Sequence, residues 1–198
     1  MNRPHAPLWR GRAMIIAIAL TAFVPFGLAW YYAKHPDLID RTSNYGSLIL
    51  PVRQLPLAEL LPPADAPAAM AELRGRWLLL QVSTQSCAAV CAETLHKTHQ
   101  GWLMLNKEMP RVRRLLLAAD AEQARTSPPV RQDDALLTAG LAPSVLTALA
   151  SAIGKTPDEG VVILIDPLGN LVLWYDLGFD PYQMVKDLKH LLKASQIG

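Results

Sequence analysis

Cysteine is nearly absent: the 198 residues hold two. Two cysteines cannot make a disulfide framework, and they fall short of the four ligands of a structural zinc site. A surplus of either charge is missing too, with 19 lysines and arginines against 17 aspartates and glutamates. No basic stripe with interleaved aromatics occurs, which argues against nucleic acid as a partner. A glycine-rich phosphate loop, a G-x-S-x-G elbow and an H-E-x-x-H helix are all lacking, so an unrelated hydrolase or transferase is disfavoured. Histidine is sparse, with none between His99 and His190. Nothing repeats, and no long run of like charge interrupts the chain.

What is present begins with an apolar segment. From Ala13 to Ala33 there are 21 residues without a charge. As a helix this run spans roughly 30 Å, the hydrocarbon thickness of a bilayer. Arg3, Arg10 and Arg12 precede it, while Lys34 and Arg41 follow among Asp37 and Asp40. The bias in basic residues places the short tail, residues 1–12, inside and the remainder across the membrane. Trp30, Tyr31 and Tyr32 would form the outer interfacial belt, and Pro25 is tolerable in a membrane helix. A cleaved signal peptide ending at Gly27-Leu28-Ala29 is the competing reading, and a buried core helix is a third. Either of the first two exports the domain, in a bacterium to the periplasm, where thiols can be oxidised.

Residues 34–72 read as a tether. Pro51, Pro56, Pro62, Pro63 and Pro67, with alanines among them, cannot build a continuous helix or a central strand. Short extended pieces such as Ser47-Leu48-Ile49-Leu50 can pack on the domain, which is expected to span 73–198. There, 77–83 reads as a buried strand, followed by a helix over about 88–107 and a second strand over 112–119, whose leucine run implies burial on both faces. Asp133 or Asp134 is expected to cap a helix starting at Ala135. Pro143 should break that helix, and a second piece should end at Gly154. Residues 161–165 and 171–175 read as strands around the turn Asp166-Pro167-Leu168-Gly169-Asn170. A last helix runs from about Pro181 to Ala194. Strands alternating with helices in this order give an α/β class, a thioredoxin-like mixed sheet with helices on both faces.

The cysteines stand four apart in Cys87-Ala88-Ala89-Val90-Cys91, at the junction of the first strand and helix. Residues four apart on a helix share a face, so both sulfurs can meet. A helix N-terminus favours negative charge on sulfur. Such a pair can close a disulfide, or offer two soft ligands to Cu(I), and the spacing does not choose between these outcomes. An inert buried pair is the plainest alternative.

The stretch Leu73-Arg74-Gly75-Arg76-Trp77-Leu78-Leu79-Leu80, with Cys87 twelve residues after Gly75, resembles the opening of the SCO/SenC family. Cys91-Ala92-Glu93-Thr94-Leu95 and the late Ile163-Leu164-Ile165-Asp166-Pro167-Leu168-Gly169 are similar to that family as well. The resemblance implies a membrane-anchored thioredoxin-like protein of the bacterial inner membrane. It also implies a role as thiol reductase or Cu(I) chaperone, with a cytochrome c oxidase subunit or other assembly factors as partners. Cys87 would be the exposed nucleophile and Cys91 the resolving thiol.

Two departures stand out. Ala88 and Ala92 occupy places where the family usually has proline. Where it keeps a copper-binding histidine, eight residues before the Ile-Asp aspartate, this chain has Asp158, a harder and poorer ligand for Cu(I). Copper binding through three ligands would then need Asp158 or another group beside Cys87 and Cys91.

The other polar residues have plainer readings. His96 and His99 lie about 140° and 80° around the helix from Cys91, so both read as exposed helical residues. His190 reads as a solvated residue among lysines. Asp158-Glu159 reads as an exposed loop pair, Trp77 and Trp102 as core or near-core aromatics, and Asp133-Asp134 as a cap. Pro157 is a weak counterpart of the cis-proline that faces a thioredoxin-type site.

Overall fold

The computed structural model describes residues 8–35, 44–61, 71–84 and 87–195. Residues 1–7 of the tail, with Arg3 and His5, lie outside these. So do 36–43, with Asp37, Asp40 and Arg41, and 62–70 of the tether, with Pro62, Pro63 and Pro67. The chain divides into two compact units, the second beginning at Asn44.

The first unit is one helix, α1 (Leu8–Lys34), with Pro25 inside it. Its stretch Gly11–Lys34, 24 residues, is long and apolar enough to cross a membrane. Phe23, Phe26 and Trp30 are all exposed. Its apolar side chains are not sorted to one face, the pattern of a helix that is hydrophobic all round.

The second unit is built on a six-stranded sheet. Its strands are β1 (Ser47–Gln54), β2 (Trp77–Ser83), β3 (Val112–Ala118), β4 (Leu136–Gly140), β5 (Val162–Ile165) and β6 (Asn170–Tyr175). They lie in the order β1-β6-β5-β2-β3-β4. β2, β3 and β4 run parallel, whereas β5, β6 and β1 add antiparallel neighbours. Between the strands come α2 (Ala89–Leu103), the short α3 (Ala121–Thr126) and α4 (Pro128–Arg131), and α5 (Pro143–Ile153), with α6 (Pro181–Ala194) closing the fold.

All seven residues of β2 are buried, because it is central and covered on both faces. Alternation then sorts its side chains. Leu78, Leu80 and Val82 join Leu115, Leu117, Val145 and Leu149 on the α5 side. Trp77 and Leu79 join Leu105, Met184, Val185 and Leu188 on the side of α2 and α6. The same face carries buried polar residues, Gln81 and Ser83 in β2 and Arg114 in β3, beside Leu116 and Ala118 under Cys91 and Leu95 of α2. Gly101 lets α2 approach α6: a Cβ there would stand 2.6 Å from Met184 Cε and 3.3 Å from Val185 Cγ2. This contact seats the helix that carries the cysteines.

Two expectations need correction. The segment from Asn44 to Leu61 is not simply a tether, because it supplies the edge strand β1. Ser47 pairs with Trp174 and Gln54 with Asn170, and the register shifts between Leu48 and Arg53. Pro51, preceded by a cis peptide bond, lies within that irregular stretch, where an edge strand tolerates the missing donor. Asp187 of α6 fastens the strand's start, accepting from Tyr45 N at 3.0 Å, Gly46 N at 2.9 Å and Tyr175 Oη at 2.9 Å. Burial, reinforced by the charge of Asp187, pushes the Tyr175 phenol above its usual range.

The helix expected from Ala135 is instead β4. Arg114 to Ala118 of β3 pair with Leu136 to Gly140, and Leu61 bridges the far side of Gly140. A strand place beside β3 overrides local helical preference in so short a segment. The helices before it, α3 and α4, had no clear sequence signal, although Asp120 caps α3 by accepting from Gln123 N at 2.9 Å.

Candidate functional site

β2 delivers the chain to the start of α2, and the cysteines straddle that start. Cys87 precedes the helix, Ala88 is its N-cap, and Cys91 is its third residue. Ala88 has no polar side chain with which to cap, so the N-cap residue itself makes no bond to the first amides of α2. Cys87 and Cys91 are joined as a disulfide with their Cα atoms 5.0 Å apart. The two sulfurs differ in access. Cys87 is half-buried, and Ala88, Ala89 and Val90 between the cysteines are exposed. Cys91 is fully buried, packed with Leu95, Leu116, Ala118, Ala124 and Val130.

Beneath Cys91 lies Gln81. Its Nε2 donates to the Cys91 carbonyl at 3.1 Å and reaches Cys91 Sγ at 3.6 Å. Its Oε1 is buried and has no hydrogen-bond partner among the described residues. Sequence reasoning missed this residue. The one available signal was a glutamine inside a run that otherwise reads as a doubly buried strand.

The loop before β5 forms the opposite wall. Gly160, at φ +84°, leaves no room for a side chain: a Cβ would lie 2.8 Å from Thr94 Oγ1, 3.1 Å from Val90 Cγ1 and 3.2 Å from Leu177 Cδ1. This loop therefore packs directly on the CxxxC turn. Its two acidic residues take different directions. Glu159 turns inward, accepting from Ser83 Oγ at 2.7 Å and Thr84 N at 2.8 Å, which ties the loop to the end of β2. Asp158 is exposed and accepts from Lys155 Nζ at 3.2 Å, and the same ammonium reaches Asp176 at 3.0 Å. Pro157 is buried, and the cis peptide among the described residues is at Leu50–Pro51 instead.

Farther along α2, the expected cap Asp133 proves to be an ion-pair partner. Arg114, 1% exposed, donates to Asp133 Oδ2, to the Leu95 carbonyl at 3.0 Å and to Thr98 Oγ1 at 3.2 Å. His99 Nδ1 stands 3.0 Å from the same Asp133 oxygen, so His99 is part of this cluster rather than a free surface residue. Burial pushes the Asp133 carboxyl up, but Arg114 and then His99 together hold it below the usual range. Burial draws the Arg114 guanidinium down, opposed by its bond to Asp133. His96 and His190 are exposed as expected. Trp77 is buried, and Trp102 is half-buried with its indole N–H on the Val112 carbonyl.

Among the described residues, no three His, Cys, Asp or Glu side chains gather where they could hold a metal ion. Cys87 and Cys91 would offer two sulfur donors once reduced, and among the described residues no third donor stands with them. A closed three-ligand site for Cu(I) therefore does not form from the described residues.

A βαβ core with an antiparallel extension, and a disulfide at the first helix start, define a thioredoxin-like domain with a CxxxC site. The chain belongs to the family described as transmembrane-like, thioredoxin-like, C-terminal domain, whose model matches residues 77–195. Among solved structures it is similar to apo Sco1 from Thermus thermophilus. The two are 20% identical, with a TM-score of 0.55 over 75% of this chain and 96% of that one. The SCO/SenC resemblance read from the motifs thus extends to a shared fold. Copper-bound ScoI from Arabidopsis thaliana is 17% identical, with a TM-score of 0.49 over 63% of this chain and 89% of that one. The thioredoxin domain of a thiol-disulfide oxidoreductase from Bacteroides vulgatus is 12% identical, with a TM-score of 0.47 over 72% and 96%. No curated protein matches the sequence.

Proposed function

We propose that this chain is a membrane-anchored SCO-like protein that exchanges thiols and disulfides at Cys87 and Cys91. In this reading α1 anchors it in a bacterial inner membrane with residues 1–12 in the cytoplasm. The domain then works in the periplasm, reducing partner cysteines during cytochrome c oxidase assembly. One observation carries the reading: a disulfide at a helix start with one sulfur reachable and the other buried. That asymmetry is what a two-step exchange requires.

The reaction balances with the dithiol form as reductant. The Cys87 thiolate attacks a partner disulfide, forming a Cys87–partner bond and releasing one partner thiolate. The Cys91 thiolate then attacks Cys87 Sγ, closing the observed disulfide and releasing the second. Two electrons pass to the partner, and an external dithiol donor must later return them. The amides at the start of α2, where the N-cap Ala88 has no polar side chain, favour negative charge on Cys87. Burial keeps Cys91 from reacting with anything but Cys87. Cu(I) would be cargo, and among the described residues only the two thiolates stand ready to carry it, so no step is routed through it.

The test compares the full chain in detergent with a Cys87→Ser/Cys91→Ser double variant. Wild type should reduce a disulfide substrate stoichiometrically, and the double variant should have no activity. Expressed in the parent organism, the double variant should also lower oxidase activity. Full oxidase activity with both serines in place would favour a purely supporting role for the domain. Equal Cu(I) uptake by wild type and the double variant would exclude a copper role for the thiols.

A further inference from the structure

A central strand position covered on both sides is a poor place for an amide. Gln81 pairs with Leu116 on one side and Val162 on the other, and it is 2% exposed. Leu79, two residues earlier on the same face, shows what fills such a position at no polar expense. Burying an amide whose oxygen has no partner among the described residues is unfavourable, and such a group in a native fold calls for a reason. The reason lies 3.6 Å away, at Cys91 Sγ.

The bond from Nε2 to the Cys91 carbonyl at 3.1 Å fixes which end of the amide faces the cysteine. An amide nitrogen carries two N–H groups. One is taken by that carbonyl, which leaves the other for the sulfur. We propose that Gln81 donates the hydrogen bond that holds negative charge on Cys91 whenever the Cys87–Cys91 bond opens or closes. This rests on the thiol–disulfide reading above.

Consider reductive opening by a dithiol. A donor thiolate attacks the accessible Cys87 Sγ, forming a donor–Cys87 bond. The Cys87–Cys91 bond breaks and its electron pair stays on Cys91, which becomes a thiolate in a site closed to water. The donor's second thiol loses its proton to solvent and displaces Cys87 from the mixed disulfide. The donor leaves as a disulfide, two electrons poorer, and both protein sulfurs take protons from solvent. The leaving sulfur is the buried one, so solvent cannot stabilise it, and the Gln81 N–H is the donor the structure provides. In the closing direction the same bond keeps Cys91 charged as it attacks Cys87. A carboxylate in this place would repel the thiolate, whereas an amide stays neutral at every working pH.

The test follows opening by dithiothreitol in the full chain in detergent, with quenched alkylation and mass analysis, between pH 6 and 9. Gln81→Met keeps the bulk and removes the donor, and Gln81→Glu gives a donor that is lost on ionisation. Opening of Gln81→Met should be at least about tenfold slower than wild type, the usual effect of losing a hydrogen bond to a charged group. Opening of Gln81→Glu should fall progressively behind wild type as pH rises. Wild-type rates in both variants, with no added pH trend, would overturn the proposal while leaving the exchange reading intact. A wild-type disulfide that dithiothreitol cannot open would instead remove the exchange reading, and this proposal with it. Should neither variant fold, the wild type decides: the Gln81 side-chain amide protons must shift in NMR spectra on reduction. Unchanged shifts would overturn the assignment.

Discussion

Beneath α2, on one face of the sheet, two buried polar clusters lie side by side and are built on opposite principles. Arg114 in β3 is charged, and its charge is met by Asp133, with Thr98 and the Leu95 carbonyl taking further N–H groups, although Arg114 Nε and Asp133 Oδ1 have no partner among the described residues. Gln81 in β2 is neutral and only partly compensated, with one contact to a reactive sulfur and an oxygen left without a partner among the described residues. The first arrangement fastens a helix and the α4–β4 connection to the sheet. The second, in the proposed exchange, puts a buried amide against a reacting sulfur where an aliphatic side chain would fill the same place. Charge paired with opposite charge serves the fold, whereas the neutral amide is set apart by the sulfur it faces.

The contrast breaks most visibly at Asp133. Asp133→Ala leaves the Arg114 guanidinium buried without its ion partner, and removing one member of such a pair costs about 3–5 kcal/mol. Chemical denaturation of the full chain in detergent should show that loss, while the folded fraction should open its disulfide at the wild-type rate. A loss below about 1 kcal/mol, the scale of an ordinary surface change, would show that Arg114 finds other partners and that the first cluster is not structural. Replacing both partners by apolar residues of similar volume should recover most of the loss.

The same cluster sets a pH limit. The Asp133 carboxyl is held below its unfolded value, so the unfolded chain binds its proton more readily. That stabilisation is present in full above about pH 4, the ordinary aspartate value, and is lost as pH falls through the lower folded value. Acid titration of stability should therefore show a descending limb below about pH 4 that is steeper than in Asp133→Asn, where Asp176, also held below its usual value, remains. An identical limb in both proteins would assign the acid sensitivity to other carboxylates. Gln81, an amide, should add nothing to that limb.

These two clusters also show where the sequence could and could not be read. The CxxxC, β2, β3, the β5–β6 hairpin and α6 were legible because each carries a local signal: a thiol pair, a doubly buried run, a D-P-x-G turn, or apolar spacing begun by proline. Arg114 and Gln81 gave little, because a polar residue inside an apolar strand has meaning only once its neighbour from α2 is known. Asp133 misled for the same reason. Its place before Ala135 looks like a cap, and only the strand pairing of β3 with β4 brings it to Arg114. The tether was overread from its prolines, since the bulged edge strand that accommodates Pro51 is fastened by Asp187, more than 130 residues away. Long-range pairing, not local propensity, decided each of these.

Glu159 offers the finest division between the clusters, because it is a charged group that serves the thiol site. Its carboxylate ties the β5 loop to Ser83 and Thr84 at the end of β2, just ahead of Cys87. Glu159→Gln keeps one acceptor oxygen, so the global loss should be small, about 1 kcal/mol for one weakened hydrogen bond. The loop would nonetheless hold the CxxxC turn less firmly, since Gly160 packs on Val90 and Thr94. Alkylation of the reduced protein should therefore become faster at Cys91, the buried thiol, with little change at Cys87. Asp158→Asn, on the exposed side of the same loop and paired only with Lys155 among the bonds described, should change neither thiol. Equal effects of the two substitutions would mean that the loop acts through its charge rather than through its attachment to β2.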